Sequence, residues 1–583
     1  MYCRGWRWIS ITIICSLSII GCSSELAEFI KDGASFRNIA LHSSSFQVSS
    51  VERGTVISSL ADGNRYGFYD KKNTFFSTRY ESSPWINVNL KQAHEKDGSN
   101  IRLVRLFKAE NRCETRLSLR RNPTCALLAE QFSFTPTETL KLTIKLLTVY
   151  GKAIFSKEFT SPRGVYALNV PESWNASEVA SINISLVSNT VKARLSLSEV
   201  EIYAKVHDKK IKKCKLNFIG DSCSENILYT SRYLPFVKET ELFKNSLSIE
   251  SRIRHVQEGV CNRMAVEHIL PGPMGKGAGF GSTVFWRTGS FSEAFATKRP
   301  EVFVGSFNYA ENSYCKKQHA YGKFECYFES HCICNSTLKI RSNKYNSRRN
   351  MLPRNRRDGP PKDGRFDIVP SVVKKKGIFV WRSHQIRWLL RLNSKTKTML
   401  SFDEIMKELG FAEKKKTIGV HIRHGDGCLH GRRKQHGCKP LSAYIDEART
   451  LQDMYGKEIR RIFIATDSQQ IIRETDDFKD EFDFIYQNFN RDKYNTNRKI
   501  ENQFQQNKLD KHEVMLETLG DIFLLSECDF LVTHQASALS RIVLSLTSVR
   551  LGYIPPYMSL DGPWCYHWKM CCDVRPNGEQ ITC

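Results

Sequence analysis

A chain of 583 residues, 41% hydrophobic and 25% charged, has an ordinary globular balance, which excludes a disordered chain. At roughly 100–200 residues per domain it holds about three or four domains. The net charge of +26 suits an anionic partner such as nucleic acid, a nucleotide diphosphate or an acidic membrane. No nucleic-acid module accompanies that charge, so a nucleic-acid partner is set aside.

The N-terminus carries Arg4 and Arg7 and then runs without charge from Trp8 to Ser24. A basic start, an apolar run and small residues form a secretory signal. The run is borderline for a membrane helix, which needs roughly 17–25 apolar residues. Residues 1–24 therefore read as a cleaved signal peptide or a type II signal anchor, the latter making the membrane a partner. Of the 19 cysteines, Cys3, Cys15 and Cys22 fall in this leader. The others are scattered without paired C-x-x-C spacing, so disulfides in an oxidising compartment fit better than zinc. Sequons at Asn175, Asn183 and Asn335 agree with the secretory pathway, either the Golgi lumen or secretion.

Residues 38–205 read as short alternating strands, such as Trp85–Leu90, Ile101–Leu106 and Leu195–Ile202, punctuated by Gly, Asn, Pro and Ser. That is the pattern of a β-sandwich. A basic linker, 206–217, closes this domain. Beyond it, helical patterns alternate with short apolar strands, as in parallel α/β units. Two halves follow, 218–410 and 411–560, and then a cysteine-rich tail, 561–583. The run from Arg341 to Lys376 is basic and holds Pro and Gly, the composition of a mobile loop.

Three segments of the second half share one plan. Thr417–Ile422 runs into Arg423-His424-Gly425-Asp426, Arg461–Ala465 into Thr466-Asp467-Ser468, and Asp529–Val532 into Thr533–Ser537. In open α/β sheets ligands bind beyond the carboxyl ends of the strands, so three polar ends in succession describe one site. Arg423 is a fixed cation that can fork onto a phosphate. Ser537 begins a helix, whose N-terminus favours anions. The Asp521 carboxylate can accept from a guanine edge. The glycine run Gly272–Gly281 lets backbone approach phosphate or sugar closely. No G-K-[ST] follows it, which argues against a nucleoside triphosphatase. The bland alternatives are an Arg423–Asp426 surface ion pair and glycines that only turn the chain.

These residues resemble the three motifs of the fucosyltransferase superfamily. The motifs are His421-x-Arg423-x-Gly-Asp426, Phe463-Ile-Ala-Thr-Asp467, and the stretch from Asp521 through Ser537 to Arg541. The branch most resembled is that of α1,6-fucosyltransferases and bacterial nodulation fucosyltransferases. Upstream, Gly279-Phe-Gly281, Ala294–Val302, Phe307-Asn-Tyr309-Ala and Val380–Arg391 look like the family's first half, so the resemblance spans roughly Phe218 to Tyr557. It implies a GT-B-like fold of two Rossmann-like halves with GDP between them. It also implies inverting transfer of L-fucose from GDP-fucose, without a catalytic cofactor, to a glycan or glycoprotein hydroxyl, with α1,6 linkage as one outcome. By position, Arg423 would hold the β-phosphate, His421 and Asp521 would meet the guanosine, and Tyr309 and Ser537 would touch the diphosphate.

The departures concern catalysis. The second arginine of the α1,6 enzymes is His424 here, and the family's lysine and catalytic glutamate have no clear match in Gly427–Gly431. An inverting transfer benefits from a base on the acceptor hydroxyl. Asp426, His424 and His430 are the candidates. Cys428 and Cys438 are spaced to clip this loop. The C-terminal SH3 domain of the animal enzymes has no counterpart.

The first domain resembles the F-type lectin and discoidin (factor 5/8 type C) sandwich through Asn38–Leu41, Ala61–Asn64, Ser83–Leu90 and Leu197–Tyr203. The resemblance implies a structural calcium at Asp62, Asn64, Ser77 and Glu199, oxygen ligands of the kind calcium takes. Its sugar site is matched in part by Arg112 and Arg116, with Arg79 near the position of the family's histidine, and implies a fucosylated glycan as ligand. Two readings result. One is an active fucosyltransferase with an appended lectin-like domain. The other is a secreted or membrane carbohydrate-binding protein with a degenerate transferase half.

Overall fold

The computed structural model describes residues 34–38, 40, 46–52, 55–61, 76–90, 100–108, 141–159, 165–170, 179–187, 195–207, 246–258, 270–273, 279–296, 301–304, 306–330, 373, 377–413, 415–425, 439–494, 500–560 and 564. The leader, the linker 206–217, nearly all of the basic run 341–376 and most of the cysteine-rich tail lie outside them. Among the described residues no helix is long and apolar enough to cross a membrane.

The alternating segments build two antiparallel sheets. The first holds β1 (Ala34–Asn38), β3 (Phe76–Ser77), β5 (Asn100–Lys108), β8 (Val165–Asn169) and β10 (Ser196–His207), and the second β2 (Phe46–Val48), β4 (Trp85–Asn89), β6 (Lys141–Leu147), β7 (Ala153–Phe159) and β9 (Ser181–Val187). Their orders are β1-β10-β5-β8, with β3 on β10, and β2-β4-β9-β6-β7. Period-2 alternation turns Ile86, Val88, Ile144, Leu146, Ile182 and Ile184 inward against Val104, Leu106, Val200 and Ile202, all buried. The region is thus a β-sandwich. Asn183 is opposite Asn87 in the middle of β9, an awkward place for a sequon, because paired backbone cannot leave the sheet. The other two sequons lie outside the described residues.

The outer face of the first sheet breaks the usual polar pattern. Leu103, Arg105, Glu201 and Tyr203 point away from the sandwich core and are still buried. Leu103 and Tyr203 join the core of the second α/β half. Arg105 pairs with Glu201 at 3.5 Å and with Glu447 on the helix Leu441–Tyr455. Asn169 Nδ2 donates to Asp453 of the same helix at 2.6 Å. Among the described residues the sandwich is therefore docked on the transferase-like part by apolar contacts, the shared Arg105 guanidinium and the Asn169–Asp453 hydrogen bond.

Beyond the linker come α1 (Ser246–Glu258), α2 (Phe280–Ala296) and α3 (Gly377–Leu389), with β11 (Leu270–Pro273) parallel to β12 (Glu301–Val304). Between α2 and α3, Ser292 Oγ accepts from Trp381 Nε1, Arg382 Nη1 and Gln385 Nε2 and donates to the Thr288 carbonyl. A disulfide joins Cys315 and Cys326. Cys528 is a buried free thiol, so not every cysteine beyond the leader forms a disulfide.

The last half is one parallel sheet. It comprises β13 (Thr417–Ile422), β14 (Arg461–Thr466), β15 (Asp483–Ile485), β16 (Phe530–Thr533) and β17 (Tyr557–Ser559), ordered β15-β14-β13-β16-β17. Helices α4 (Leu441–Tyr455), α5 (Gln469–Glu474), α6 (Ile500–Gln505), α7 (Lys511–Ser526) and α8 (Ala538–Leu551) accompany it. Strands β13 and β14 are buried along their whole length, as parallel strands covered on both sides must be. The order reverses direction at β13, which creates the switch point where such sheets bind ligands.

Candidate functional site

The three polar strand ends meet at that switch point. Ile422 pairs with Thr466 on one side and Val420 with Val532 on the other, which aligns the ends of β13, β14 and β16. Arg423 leaves β13 and forms an ion pair with Asp467 from the end of β14. The Asp467 carboxylate also accepts the His424 backbone N–H at 2.8 Å. It presses on Gly425, where φ is +28° and an added Cβ would lie 2.5 Å from Asp467 Oδ2. The glycine thus lets the turn close over the carboxylate. The alternative partner weighed for Arg423, Asp426, lies outside the described residues, as do His430, Cys428 and Cys438. Arg423 keeps 31% of its side chain exposed while Asp467 braces its guanidinium.

His421 is buried on β13, with Nδ1 2.6 Å from Ser540 Oγ in α8. Burial, then the charge of Arg423 and then His534, push its pKa down to about 3. The imidazole is neutral at physiological pH. His424 donates from Nε2 to the Lys439 carbonyl at 2.8 Å, which leaves Nδ1 as the lone pair of the neutral ring.

Asp521, in α7, accepts from Gln487 Nε2 at 2.5 Å. Burial, opposed by that hydrogen bond and by Arg491, pushes its pKa up to about 7. Ser537 is the N-cap of α8, and its side chain makes no capping bond. The start of α2 abuts the start of α8: a Cβ on Gly281 would lie 2.9 Å from the Leu539 nitrogen. Gly281 therefore has a packing duty, the close approach of two helix N-termini. We expect Gly281→Ala to separate them at a cost of about 1–3 kcal/mol. The check is a thermal melt together with nucleotide binding, and an unchanged melt would refute the packing role.

Tyr309 is buried, its hydroxyl accepting the Phe280 N–H at 3.2 Å and its ring edge-on to Phe504. It thus sits behind the first turn of α2, the turn whose Gly281 packs on Ala538 and Leu539 of α8. In the sandwich, Ser77 Oγ lies 2.8 Å from Ser196 Oγ, and Glu199 is fully buried on β10. Asp62, Asn64, Arg112 and Arg116 fall outside the described residues. Among the described residues no group of three His, Cys, Asp or Glu could hold a metal ion.

Residues absent from the sequence-based site are Asp467 as a partner, Ser540, Gln487 and Arg491. Asp467 was visible as a polar strand end. Arg491 was not: it is buried in the loop after β15, donating to the Thr466, Phe489 and Gln487 carbonyls.

Residues 367–561 match the family model described as "Alpha-(1,6)-fucosyltransferase N- and catalytic domains". The match is narrower than the span of the resemblance and covers the whole strand-end site. No curated protein matches the chain. A NodZ alpha-1,6-fucosyltransferase crystal soaked with GDP-fucose is similar at 17% identity, over 48% of this chain and 91% of that one, with a TM-score of 0.31. A Streptococcus pneumoniae fucose binding module is similar at 20% identity, over 28% of this chain and 94% of that one, with a TM-score of 0.21. A fucolectin from Morone saxatilis (striped bass) serum is similar at 18% identity, over 29% of this chain and 48% of that one, with a TM-score of 0.19. The strand ends and the Arg423–Asp467 pair thus lie inside the one stretch, residues 367–561, that is similar to the alpha-(1,6)-fucosyltransferase family.

Proposed function

We propose that this chain transfers L-fucose from GDP-fucose to a hydroxyl of a glycan or glycoprotein, with inversion and without a catalytic metal. The observation that supports this most is Arg423, partly exposed just past the end of β13 and braced there by Asp467. As the glycosidic bond breaks, charge grows on the GDP leaving group. A preorganised guanidinium and helix N–H groups stabilise that charge more than the ground state. Asp521 accepts from the guanine edge, and neutral His421 packs beside the nucleoside. His424 can take the acceptor proton at Nδ1, with Asp426 as the competing base. Calorimetry with GDP and ADP on the purified chain is the test. GDP should bind more tightly, and equal affinity would defeat the guanine assignment.

We assign the sandwich a glycan-binding role and the chain a secretory-pathway location, which the Cys315–Cys326 disulfide supports. Chelation separates the two halves chemically. EDTA should leave GDP-fucose turnover unchanged. It should lower the melting temperature of the sandwich if calcium sits at Asp62, Asn64, Ser77 and Glu199. Loss of turnover with an unchanged melt would contradict the assignment.

A further inference from the structure

Helix α7 contains Gly520 in its interior, where glycine costs about 1 kcal/mol relative to alanine. A Cβ at that position would lie 2.2 Å from Gln487 Oε1. The side chain of Gln487 occupies the space the missing Cβ leaves. From there Nε2 donates to the Glu517 carbonyl at 3.2 Å and to Asp521 Oδ1 at 2.5 Å, which uses both amide hydrogens. Its backbone is held as well. Arg491 donates to the Gln487 carbonyl at 2.9 Å, and its guanidinium lies 3.9 Å over the Phe489 ring. The amide is therefore aimed at Asp521 by a fixed loop and a gap in the helix.

We propose that Gln487, seated in the gap at Gly520, is a positioning residue that sets the base preference of the nucleotide site by keeping Asp521 a hydrogen-bond acceptor. This rests on the reading of Asp521 as the group that meets guanine. A guanine edge offers N1–H and N2–H donors together, and an ionised carboxylate accepts both. An adenine edge offers one donor and one acceptor, which a protonated carboxyl matches instead. A donated N–H favours the ionised form. Burial, the largest influence on Asp521, opposes ionisation, and the charges around it pull in both directions. Arg491 favours ionisation; Glu517 and Asp467 oppose it. Glu517 is itself bound by Lys493 and the Tyr494 hydroxyl, Lys493 also meets Glu513, and Asp467 is paired with Arg423. The Gln487 amide is the direct side-chain donor to Asp521 and the foremost influence that favours its ionised form.

The test compares GDP and ADP affinity between about pH 6 and 8, across the ordinary titration range of such a shifted carboxyl. The chains are wild type, Gln487→Met, Gly520→Ala and the double variant Gln487→Ala with Gly520→Ala. Taking the GDP-to-ADP ratio cancels protonation of the diphosphate, which both ligands share. The wild-type ratio should fall as pH drops through about 7. Gln487→Met should lower the ratio about tenfold at neutral pH and move its midpoint to higher pH, one pKa unit being tenfold in proton affinity. Gly520→Ala should do the same without a lower melting temperature, because the new methyl displaces only the tip of a flexible side chain. In the Gln487→Ala background, Gly520→Ala should add nothing. A wild-type preference for GDP that both single variants retain, with an unmoved midpoint, would overturn this inference alone. A wild-type chain that binds ADP as tightly as GDP would overturn the guanine reading and the inference together.

Discussion

Arg423→Ala is expected to lower GDP-fucose turnover about a hundred- to a thousand-fold, the roughly 3–4 kcal/mol cost of deleting one preorganised donor to developing charge. The fold should survive. Arg423 lies past the end of β13 with part of its side chain in solvent, and its partner Asp467 retains the His424 N–H when the guanidinium is gone. Arg423→Lys should recover little, because an ammonium cannot reproduce a planar fork that spans Asp467 and a phosphate at once. Turnover of GDP-fucose by the three chains, with melts as a folding control, measures the effect. Activity of Arg423→Ala within a few-fold of wild type would withdraw both the site and the enzymatic reading.

The second large effect is on stability and lies far from the chemistry. Arg105→Ala should destabilise the protein by about 3–5 kcal/mol, the cost of breaking a buried ion pair by removing one partner. Without the guanidinium, the buried Glu201 and Glu447 lose the cation they share. Pairing Arg105→Met with Glu447→Gln and Glu201→Gln should restore most of the loss, since no buried charge is then left uncompensated. Heat denaturation followed by calorimetry, with proteolysis between the sandwich and the α/β part as a second probe, reads the outcome. If Arg105→Ala melted like wild type and resisted protease equally, the docked interface would have to be abandoned. The sandwich would then be a tethered module.

The local patterns carried much of this protein. Alternation in Trp85–Asn89 and Ile101–Leu106 predicts strands because side chains of a strand alternate faces, and the sandwich core contains their apolar members. The apolar runs at Thr417–Ile422, Arg461–Ala465 and Phe530–Val532 predict buried parallel strands, and their polar ends predict a shared site, since residues adjacent in sequence remain adjacent in space. The placement of Arg423 just past β13 and of Ser537 at the start of α8 was legible for that reason.

The pairings between distant residues were not. Asp467 was visible as a strand end, yet its role as the brace of Arg423 depends on β13 and β14 being neighbours in register. Gln487 carries no motif. It gains a role only because α7 lacks a Cβ at Gly520 and Arg491 fixes the loop beside it. Arg105 and Glu447 are separated by 342 positions, and on its own strand Arg105 looks like an ordinary solvent-facing residue. Sequence by itself determined which segments form strands, helices and strand-end loops, because propensity and periodicity act within a few residues. Only the tertiary structure decided which polar side chains meet and which outer face is covered, because packing selects those contacts among many that the same periodicity allows.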